Sequence, residues 1–234
     1  MKEKITQILQ DILPYELYDF GYADLKNLLA NEYKKFHYGI SIFRRLDDAV
    51  INDIEHGPTL EYYELFNFVN NELNCKVDKI VSEISKLGLF TRGIKSTLSE
   101  TEINEDFINT LRFKISHKMI GTRAGLGWIG KTDLFISKRF GPRMRMASVL
   151  IDYDLGHTQT PIEESLCGKC NICVDNCPAK AATGKLWNIN IDRNDFYDPF
   201  KCKDMCKELT KTRINKNANI CGICISVCPK GKIK

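Results

Sequence analysis

The sequence predicts an α+β protein of two parts, one over residues 1–160 and one over residues 161–234. Three observations predict this organisation. Residues 60–88 repeat apolar side chains at three- and four-residue steps, which indicates a long amphipathic helix. Residues 131–137 and 145–151 alternate like strands around the turn signal Gly141 and Pro142. Nine of the ten cysteines lie between residues 167 and 228, where regular patterning fades and cysteines organise the chain.

Punctuating residues define the other elements of the first part. Thr59 is placed to cap the long helix and Gly88 to stop it. Cys75 lies inside this helix, and we expect a buried or half-buried thiol without a chemical role. The elements predicted before it are a helix at residues 4–13 ended by Pro14, a strand at residues 38–42, and a helix at residues 46–55 ended by Gly57 and Pro58.

Composition and charge exclude several classes of protein. The net charge of +4, from 34 basic and 30 acidic residues, is too small to demand a nucleic-acid partner. No apolar run approaches the roughly 18 residues of a membrane span. Acidic and polar residues interrupt residues 1–21, where a signal peptide needs an unbroken apolar segment. We therefore predict a cytoplasmic protein without membrane contact, whose clustered cysteines are metal ligands and not disulfides.

The run 167-CGKCNICVDNCP-178 is the strongest signal in the sequence. Its spacing, C-x2-C-x2-C-x3-C-P, is that of bacterial ferredoxins with two 4Fe-4S clusters. There the first three thiolates hold one cluster and the fourth is a ligand of the other, so a second cysteine motif is required. Structural zinc is the alternative, although zinc ribbons rarely use three cysteines at successive two-residue spacings followed by Cys-Pro.

The second motif is 221-CGICISVCP-229, which lacks the first of the four cysteines. The missing ligand must come from elsewhere, and Cys202 and Cys206 are the nearby candidates. They are four residues apart, so spacing leaves both open, with Cys202 preferred. Crossed ligation then assigns one cluster to Cys167, Cys170, Cys173 and Cys228, and the other to Cys177, Cys202, Cys221 and Cys224.

The segment 125-GLGWIGKT-132 matches both the phosphate loop G-x-x-x-x-G-K-[ST] and the pattern G-x-G-x-x-G. A phosphate loop needs a strand before it and a helix after its lysine. Here the residues after Lys131 read as a strand, and Gly141 and Pro142 leave no room for a crossover helix. The nucleotide interpretation is therefore disfavoured. A plain alternative is a glycine-rich turn into a hairpin, with Trp128 packed in the core.

The segment 123-RAGLGWIGKTDLFIS-137, the double-cluster region and the Cys-Pro ending together resemble the epoxyqueuosine reductase family, which is related to reductive dehalogenases. The resemblance runs from Ile40 onward. It implies cobalamin on a nitroreductase-like α/β domain over residues 1–160, and two 4Fe-4S clusters in a ferredoxin-like domain over residues 161–234. By the same resemblance, the residues that contact the cofactor are Gly125, Gly127, Trp128, Gly130, Lys131, Phe135, Ser137 and Met146.

Two departures from the family pattern limit this transfer. The Asp that the family carries shortly before AGLGW is absent, because no acid occurs between Asp106 and Asp133. His117 is the nearby titratable residue suited to proton transfer, although a structural histidine is the plainer interpretation. The chain also ends soon after Pro229, without the C-terminal domain that those enzymes use with tRNA. Chain length therefore does not support tRNA as a partner.

These observations leave three functions. We predict an iron-sulfur oxidoreductase whose clusters pass electrons to cobalamin for reduction of an unknown substrate, with a low-potential ferredoxin or flavodoxin as donor. The alternatives are a ferredoxin-like electron-transfer protein without a corrin, and a flavin protein on the same core. The basic residues around the loop would meet corrin side chains, a phosphate, an acidic partner or only water. They are Arg123, Lys131, Arg143 and Arg145.

Overall fold

The computed structural model describes residues 1–97 and 102–232, and the chain divides into two compact units. Unit 1 comprises Met1–Arg45, Val69–Leu126 and Arg145–Ile162; unit 2 comprises Leu46–Phe68, Gly127–Met144 and Glu163–Lys234. The predicted boundary at residue 160 lies near the change of unit after Ile162, but unit 2 also takes two segments from the first 160 residues. That residues 1–160 and residues 161–234 each bind their own cofactor stays a prediction.

Helices and strands are interspersed along the chain, which confirms a mixed α/β fold; the nitroreductase-like label stays a prediction. In chain order the helices are α1 (Lys2–Ile12), α2 (Asp48–Asn52), α3 (Leu60–Ser85), α4 (Glu105–Thr110), α5 (His117–Arg123), α6 (Ile172–Asp175), α7 (Pro199–Ile214) and α8 (Ile223–Ser226). The strands are β1 (Tyr18–Asp24), β2 (Tyr38–Arg45), β3 (Thr91–Ile94), β4 (Gly127–Ile129), β5 (Phe135–Ser137) and β6 (Met144–Ile151).

Unit 1 is built on a four-stranded sheet with the strand order β1-β2-β6-β3. Strands β1 and β2 pair antiparallel, and so do β3 and β6. Aliphatic side chains of α1, α3 and the sheet form its core, and each contributes roughly 1.5–3 kcal/mol on full burial. Completely buried members of this core include Ile5, Leu9, Ile40, Ile42, Leu73, Val77, Ile80, Val149 and Leu150.

The long helix α3 agrees closely with its sequence signals. The hydroxyl of Thr59 accepts the amide of Tyr62 at 3.2 Å, which caps the first turn. Gly88, with φ of +79°, lies just beyond the last turn, as expected of a helix stop. The expectation of a buried or half-buried Cys75 was wrong, because this thiol is exposed. It lies two residues from the buried Leu73, which at 100° per residue places it on the outer face.

Unit 2 contains a short antiparallel hairpin of β4 and β5, in which Gly127 pairs with Ser137. The strand predicted at residues 131–137 is shorter than expected and begins at Phe135. Asp133 adopts a left-handed conformation with φ of +58°, and the amide of Gly130 donates to the carbonyl of Leu134 at 2.7 Å. These contacts make the first half of the segment a tight turn.

Polar side chains cap the first turn of two helices of unit 2. Asp47 accepts the amides of Ala49 and Val50 at the start of α2, and Asp198 accepts those of Phe200 and Lys201 at the start of α7. Within the part of the chain that the structure describes, no helix is both long and apolar enough to cross a membrane.

Candidate metal centre

The first cysteine run folds into a loop around the short helix α6. The amide of Cys170 donates to the carbonyl of Cys167 at 3.2 Å, and that of Cys177 to the carbonyl of Val174 at 3.2 Å. Burial raises the pKa of the Cys173 thiol, and the charges of Cys167 and Cys170 act in the same direction. These three thiols therefore lie close enough to act on one cofactor.

Cys228 joins this group from the second cysteine motif. Burial, and then the charges of Cys173, Cys167 and Cys170, raise the pKa of Cys228 to about 11. The structure thus brings together the four cysteines that the sequence assigns to one cluster. We call them the first thiol group; their ligation of iron stays a prediction.

The second thiol group surrounds a small and largely apolar cavity in unit 2. Burial raises the pKa of Cys224 well above its usual value, with the charges of Cys221 and Cys202 adding to the effect. Among the described residues, no three His, Cys, Asp or Glu side chains converge on a position for a single metal ion. The cysteines that line the cavity are Cys177, Cys202, Cys206, Cys221 and Cys224.

Cys202 and Cys206 both reach this cavity from successive turns of α7. Their sulfurs are 3.9 Å apart, and Cys206 also hydrogen-bonds to Cys221. These hydrogen bonds lower the pKa of Cys202 and of Cys221 and raise that of Cys206. Metal ligands are thiolates, but the pKa values of the predicted ligands Cys173, Cys224 and Cys228 are raised too, so this pattern does not choose between Cys202 and Cys206. The choice of Cys202 as the fourth ligand stays a prediction.

Tyr197 was not singled out from the sequence, yet it contacts the second thiol group. Burial raises the pKa of its phenol, and its hydroxyl hydrogen-bonds to Cys202. The residue directly precedes Asp198, the cap of α7. The sequence does place Tyr197 five residues before Cys202, but this spacing alone could not show that the tyrosine ring faces the thiol.

Trp128 and Lys131 of the motif pack against the loop of the first thiol group. The indole Nε1 of Trp128 donates to Cys167 Sγ at 3.4 Å. The Nζ of Lys131 donates to Oδ1 of Asn171, a residue inside the cysteine run, at 2.6 Å. These two side chains are only 5% and 4% exposed. The motif is therefore part of the wall around the first thiol group.

The motif does not have the architecture of a phosphate loop. After Lys131 the chain turns at Asp133 and continues as strand β5, as the sequence predicts, where a phosphate loop would begin a helix. The hydroxyl of Thr132 hydrogen-bonds to the thiol of Cys173. Its contact is thus to a cysteine of the first thiol group.

The glycines of the motif are explained by close approaches inside the chain. A Cβ at Gly127 would collide with the carbonyl oxygen of Ile136 across the hairpin. Gly125 has φ of +73°, and a Cβ there would press on the carbonyl oxygen of Thr160. A Cβ at Gly130 would lie 3.2 Å from the side chain of Ile136. Chain packing alone accounts for these glycines, and their contact with a corrin stays a prediction.

The other predicted cofactor contacts differ in accessibility. Phe135 is buried near Gly127, and the Ser137 hydroxyl accepts the amides of Arg139 and Phe140 at 3.1 and 3.2 Å. Met146, on β6 of unit 1, is half-buried. Of the eight residues predicted to contact a corrin, Met146 is the one whose side chain keeps an accessible part. Contact of these residues with a corrin therefore stays a prediction.

His117 is held by both of its ring nitrogens. Nδ1 lies 2.8 Å from the hydroxyl of Ser148, and Nε2 lies 3.0 Å from the carbonyl oxygen of Lys95. A carbonyl only accepts, so Nε2 carries the proton and Nδ1 accepts from the serine. Burial lowers the pKa of His117 to about 4, and the charge of Arg145 adds to the effect. The imidazole is neutral near pH 7 and tied to the backbone, which supports the structural interpretation.

The basic residues near the motif are anchored within their own units. Arg143 is 1% exposed; it pairs with Asp48 Oδ1 at 2.9 Å and donates to Asn52 Oδ1 at 2.8 Å and to the Ser226 carbonyl at 3.3 Å. Arg145 donates to Asn70 Oδ1 at 2.8 Å. Neither guanidinium is a solvated strand end, and Arg143 joins three distant segments of unit 2.

Residues 166–231 match the family of 4Fe-4S double cluster binding domains. The matched range contains all nine cysteines of the C-terminal part, and two separate groups of thiols are the donor set that such a domain requires. The fold and the site therefore define an iron-sulfur protein with a double 4Fe-4S cluster-binding domain.

Curated relatives of the chain are epoxyqueuosine reductases. The enzyme of Lactococcus garvieae (strain Lg2) is 34% identical over 113 residues, which is 48% of this chain and 31% of the relative. That of Atelocyanobacterium thalassa (isolate ALOHA) is 30% identical over 158 residues, which is 66% of this chain and 48% of the relative. The alignments span less than half the length of these relatives. They confirm the resemblance to the epoxyqueuosine reductase family.

Solved structures with the same fold come from two kinds of reductase. The epoxyqueuosine reductase of Bacillus subtilis aligns with 99% of this chain and 65% of its own, at a TM-score of 0.61 and 14% identity. A reductive dehalogenase, whose structure suggests a mechanism for B12-dependent dehalogenation, aligns with 85% of this chain and 26% of its own, at a TM-score of 0.59 and 17% identity. At these identities the likeness shows the fold alone.

Proposed function

We propose that this chain is an iron-sulfur reductase whose two 4Fe-4S clusters deliver single electrons to cobalamin for reduction of a substrate. The observation that supports it most is the assembly of nine thiols, eight of them predicted cluster ligands, into two groups inside unit 2. Thiolate-ligated clusters reach reduction potentials as low as about −700 mV. Such clusters suit a reductase that needs low-potential electrons, one at a time.

The two thiol groups approach each other at Cys224. Its ionisation is opposed by the charges of Cys173, from the first group, and of Cys177, from its own. An electron that enters one cluster would therefore have the other cluster as a near neighbour. A ferredoxin or flavodoxin of low potential is the proposed donor.

Cobalamin is the proposed acceptor because both kinds of structural neighbour are reductases and one is described as B12-dependent. When bound, cobalamin supplies a cobalt centre that takes up single electrons and acts as a strong nucleophile or reductant. The fit in this chain is limited, because seven of the eight predicted contact residues are occupied by chain packing. A cavity of unit 1 lined partly by Arg92, Lys95 and His117 has about 250 Å³, below the roughly 300–1,000 Å³ of ligand pockets.

The substrate is proposed at the level of class, as a small molecule or a modified nucleoside. One structural neighbour, an epoxyqueuosine reductase, was solved with an epoxyqueuosine-modified tRNA stem loop. The acid that the family places before AGLGW is missing here, and His117 is neutral and held by Lys95 and Ser148. The proton that a reduction consumes must therefore come from another group or from water.

A second function is favoured by the packing of the motif. Trp128 and Lys131 contact the cysteine loop, and Gly125, Gly127 and Gly130 approach their own chain. These contacts would suit a ferredoxin-like electron-transfer protein in which the motif supports a cluster and no corrin is bound.

Anaerobic purification followed by cofactor titration separates the two functions. Iron and sulfide analysis should first give about eight irons per chain, as two 4Fe-4S clusters require. The protein is then titrated with cobalamin and, in parallel, with flavin mononucleotide, and each mixture is analysed by absorption and gel filtration. Co-elution and a spectral change with cobalamin alone would support the reductase. Binding of neither, with reversible cluster reduction, would support the electron-transfer protein, and a colourless zinc protein would contradict both.

A matched pair of variants tests the residue-level prediction. Met146→Ala should weaken cobalamin binding at unchanged iron content, because it removes the accessible side chain among the predicted contacts. Met119→Ala, at another half-buried position of unit 1, is the control. Equal affinity of the two variants would exclude Met146 from the site.

A further inference from the structure

The contacts of Trp128 and Lys131 with the cysteine run require an explanation of their own. Both side chains come from the turn and strand that precede β5, and both are almost fully buried. The Trp128 N–H is directed at the sulfur of Cys167, at 3.4 Å. A buried indole N–H needs an acceptor, and here the acceptor is the sulfur of a predicted cluster ligand.

Lys131 is almost fully buried, and an ammonium in a protein interior is stabilised by hydrogen bonds and by an opposite charge. Its Nζ donates to Oδ1 of Asn171 at 2.6 Å, but the amide oxygen of asparagine carries no charge. Asn171 lies between Cys170 and Cys173, so the amide holds the ammonium beside residues that become anionic when they ligate iron. A thiolate-ligated cluster at these cysteines would supply the opposite charge.

We propose that Trp128 and Lys131 are positioning residues that set the reduction potential of the cluster held by Cys167, Cys170 and Cys173. Reduction adds one electron to a thiolate-ligated cluster that is already anionic. No bond to iron forms or breaks, and the electron comes from the external donor. An N–H directed at a ligand sulfur and a buried cation both stabilise the added negative charge, so both raise the potential.

The second thiol group has different neighbours. Tyr197 and Cys206 hydrogen-bond to Cys202, the amide of Ile223 hydrogen-bonds to Cys221, and the positive charge of Arg213 acts on Cys221. Changes at Trp128 and Lys131 should therefore shift the two clusters unequally. This inference rests on the cluster half of the proposed function and not on cobalamin, so failure to bind cobalamin would leave it intact.

Redox potentiometry monitored by electron paramagnetic resonance tests the proposal on the holoprotein. Lys131→Gln and Trp128→Phe should each make the potential of one cluster more negative. For Lys131→Gln we expect about a tenfold loss in the ratio of reduced to oxidised cluster at a fixed potential, which corresponds to about 59 mV for one electron. Lys131→Arg keeps the charge and should stay near the wild-type potential. Controls are Trp187→Phe, the other tryptophan of the chain, and Lys211→Gln at an exposed site of α7.

The outcomes separate tuning from a purely structural role. A negative shift confined to one cluster, at full iron content, with Lys131→Arg and the controls unchanged, would support the proposal. Unchanged potentials in both Trp128→Phe and Lys131→Gln would overturn it, and so would equal shifts of the two clusters. If Trp128→Phe loses iron, the proposal is judged only by comparing the reduction potentials of Lys131→Gln and Lys131→Arg. Loss of iron from Lys131→Gln as well would show that these residues only build the site.

Discussion

The two units of this chain are stabilised by different means. Unit 1 closes a four-stranded sheet and the inner face of α3 over a continuous aliphatic core. Unit 2 has three-residue strands and several helices of four or five residues, and thiols, caps and the buried Arg143 supplement a smaller apolar core. Unit 1 is thus stabilised mainly by apolar packing. If the thiols of unit 2 ligate the predicted clusters, the stability of this unit is coupled to iron.

The largest expected effect is that of iron removal, which should destabilise unit 2 and not unit 1. If the predicted clusters link the cysteine segments of unit 2, its amides should lose most of their protection when iron is removed. The sheet of unit 1 should keep its protection. Hydrogen exchange read by mass spectrometry on the holoprotein and the chelated protein makes the comparison. Equal protection of unit 2 with and without iron would show that the clusters do not stabilise it.

Replacement of Cys228 by Ala should remove one cluster and spare the other. Its thiol lies with the first group although its sequence neighbours Cys221 and Cys224 line the second cavity. Iron should fall from about eight to about four per chain, with loss of the cluster built on the run that begins at Cys167. Cys75→Ala, at the exposed cysteine of α3, is the control and should retain all iron. Loss of the cluster of Cys221 and Cys224 would refute the crossed arrangement.

Cys202 and Cys206 should differ although their sulfurs are only 3.9 Å apart. Cys202→Ala removes a thiolate ligand and should lose the second cluster, about four irons. Cys206→Ala removes an S–H donor, so iron should stay and the potential of the second cluster should become more negative. Iron analysis and redox potentiometry of the two variants give the answer. Iron loss from Cys206→Ala alone would reverse the assignment.

The smallest expected effect is a loss of stability of unit 1 as the pH falls. Burial holds the pKa of His117 at about 4, below the 6.5 of the unfolded chain. Between these values the unfolded state binds the proton and the folded state does not, so stability falls as pH falls from about 6.5 to about 4. The loss is at most about 3 kcal/mol at 1.36 kcal/mol per pH unit.

Urea unfolding of unit 1 from pH 7 to pH 4 measures this loss. His117→Asn removes the titration and should flatten the pH profile while lowering stability at neutral pH. The matched control is His157→Asn, at an exposed position, which should leave the profile unchanged. A profile equally steep in His117→Asn would assign the acid sensitivity to other groups.

The comparison of the units also explains what could be read from the sequence. Helix α3 and strand β6 were predictable because local sequence patterns specify them. For α3 these are the cap at Thr59 and the periodic buried positions that follow it. The pairing of Cys228 with the first run was predictable too, because ligand spacing encodes the three-dimensional crossing of clusters. In these cases a short sequence pattern is enough to determine the structural feature.

Residues whose role depends on a distant partner escaped prediction. Tyr197 makes its thiol contact across the turn that starts α7. Arg143 donates hydrogen bonds to carbonyl and side-chain oxygens of two other segments. The resemblance predicts that the motif at Gly125 to Thr132 contacts a cofactor, which stays a prediction, but it did not predict the contacts of Trp128 and Lys131 with the cysteine run. Sequence spacing could not reveal that contact, because 39 residues separate Trp128 from Cys167.

The three-way contact of Arg143 has a consequence for the order in which the chain matures. Asp48 and Asn52 leave the ribosome first of the three segments, Arg143 follows, and the carbonyl of Ser226 comes after both. Because a nascent chain emerges from its N-terminus, the full set of contacts around this guanidinium forms only after the segment that carries Ser226 has been synthesised.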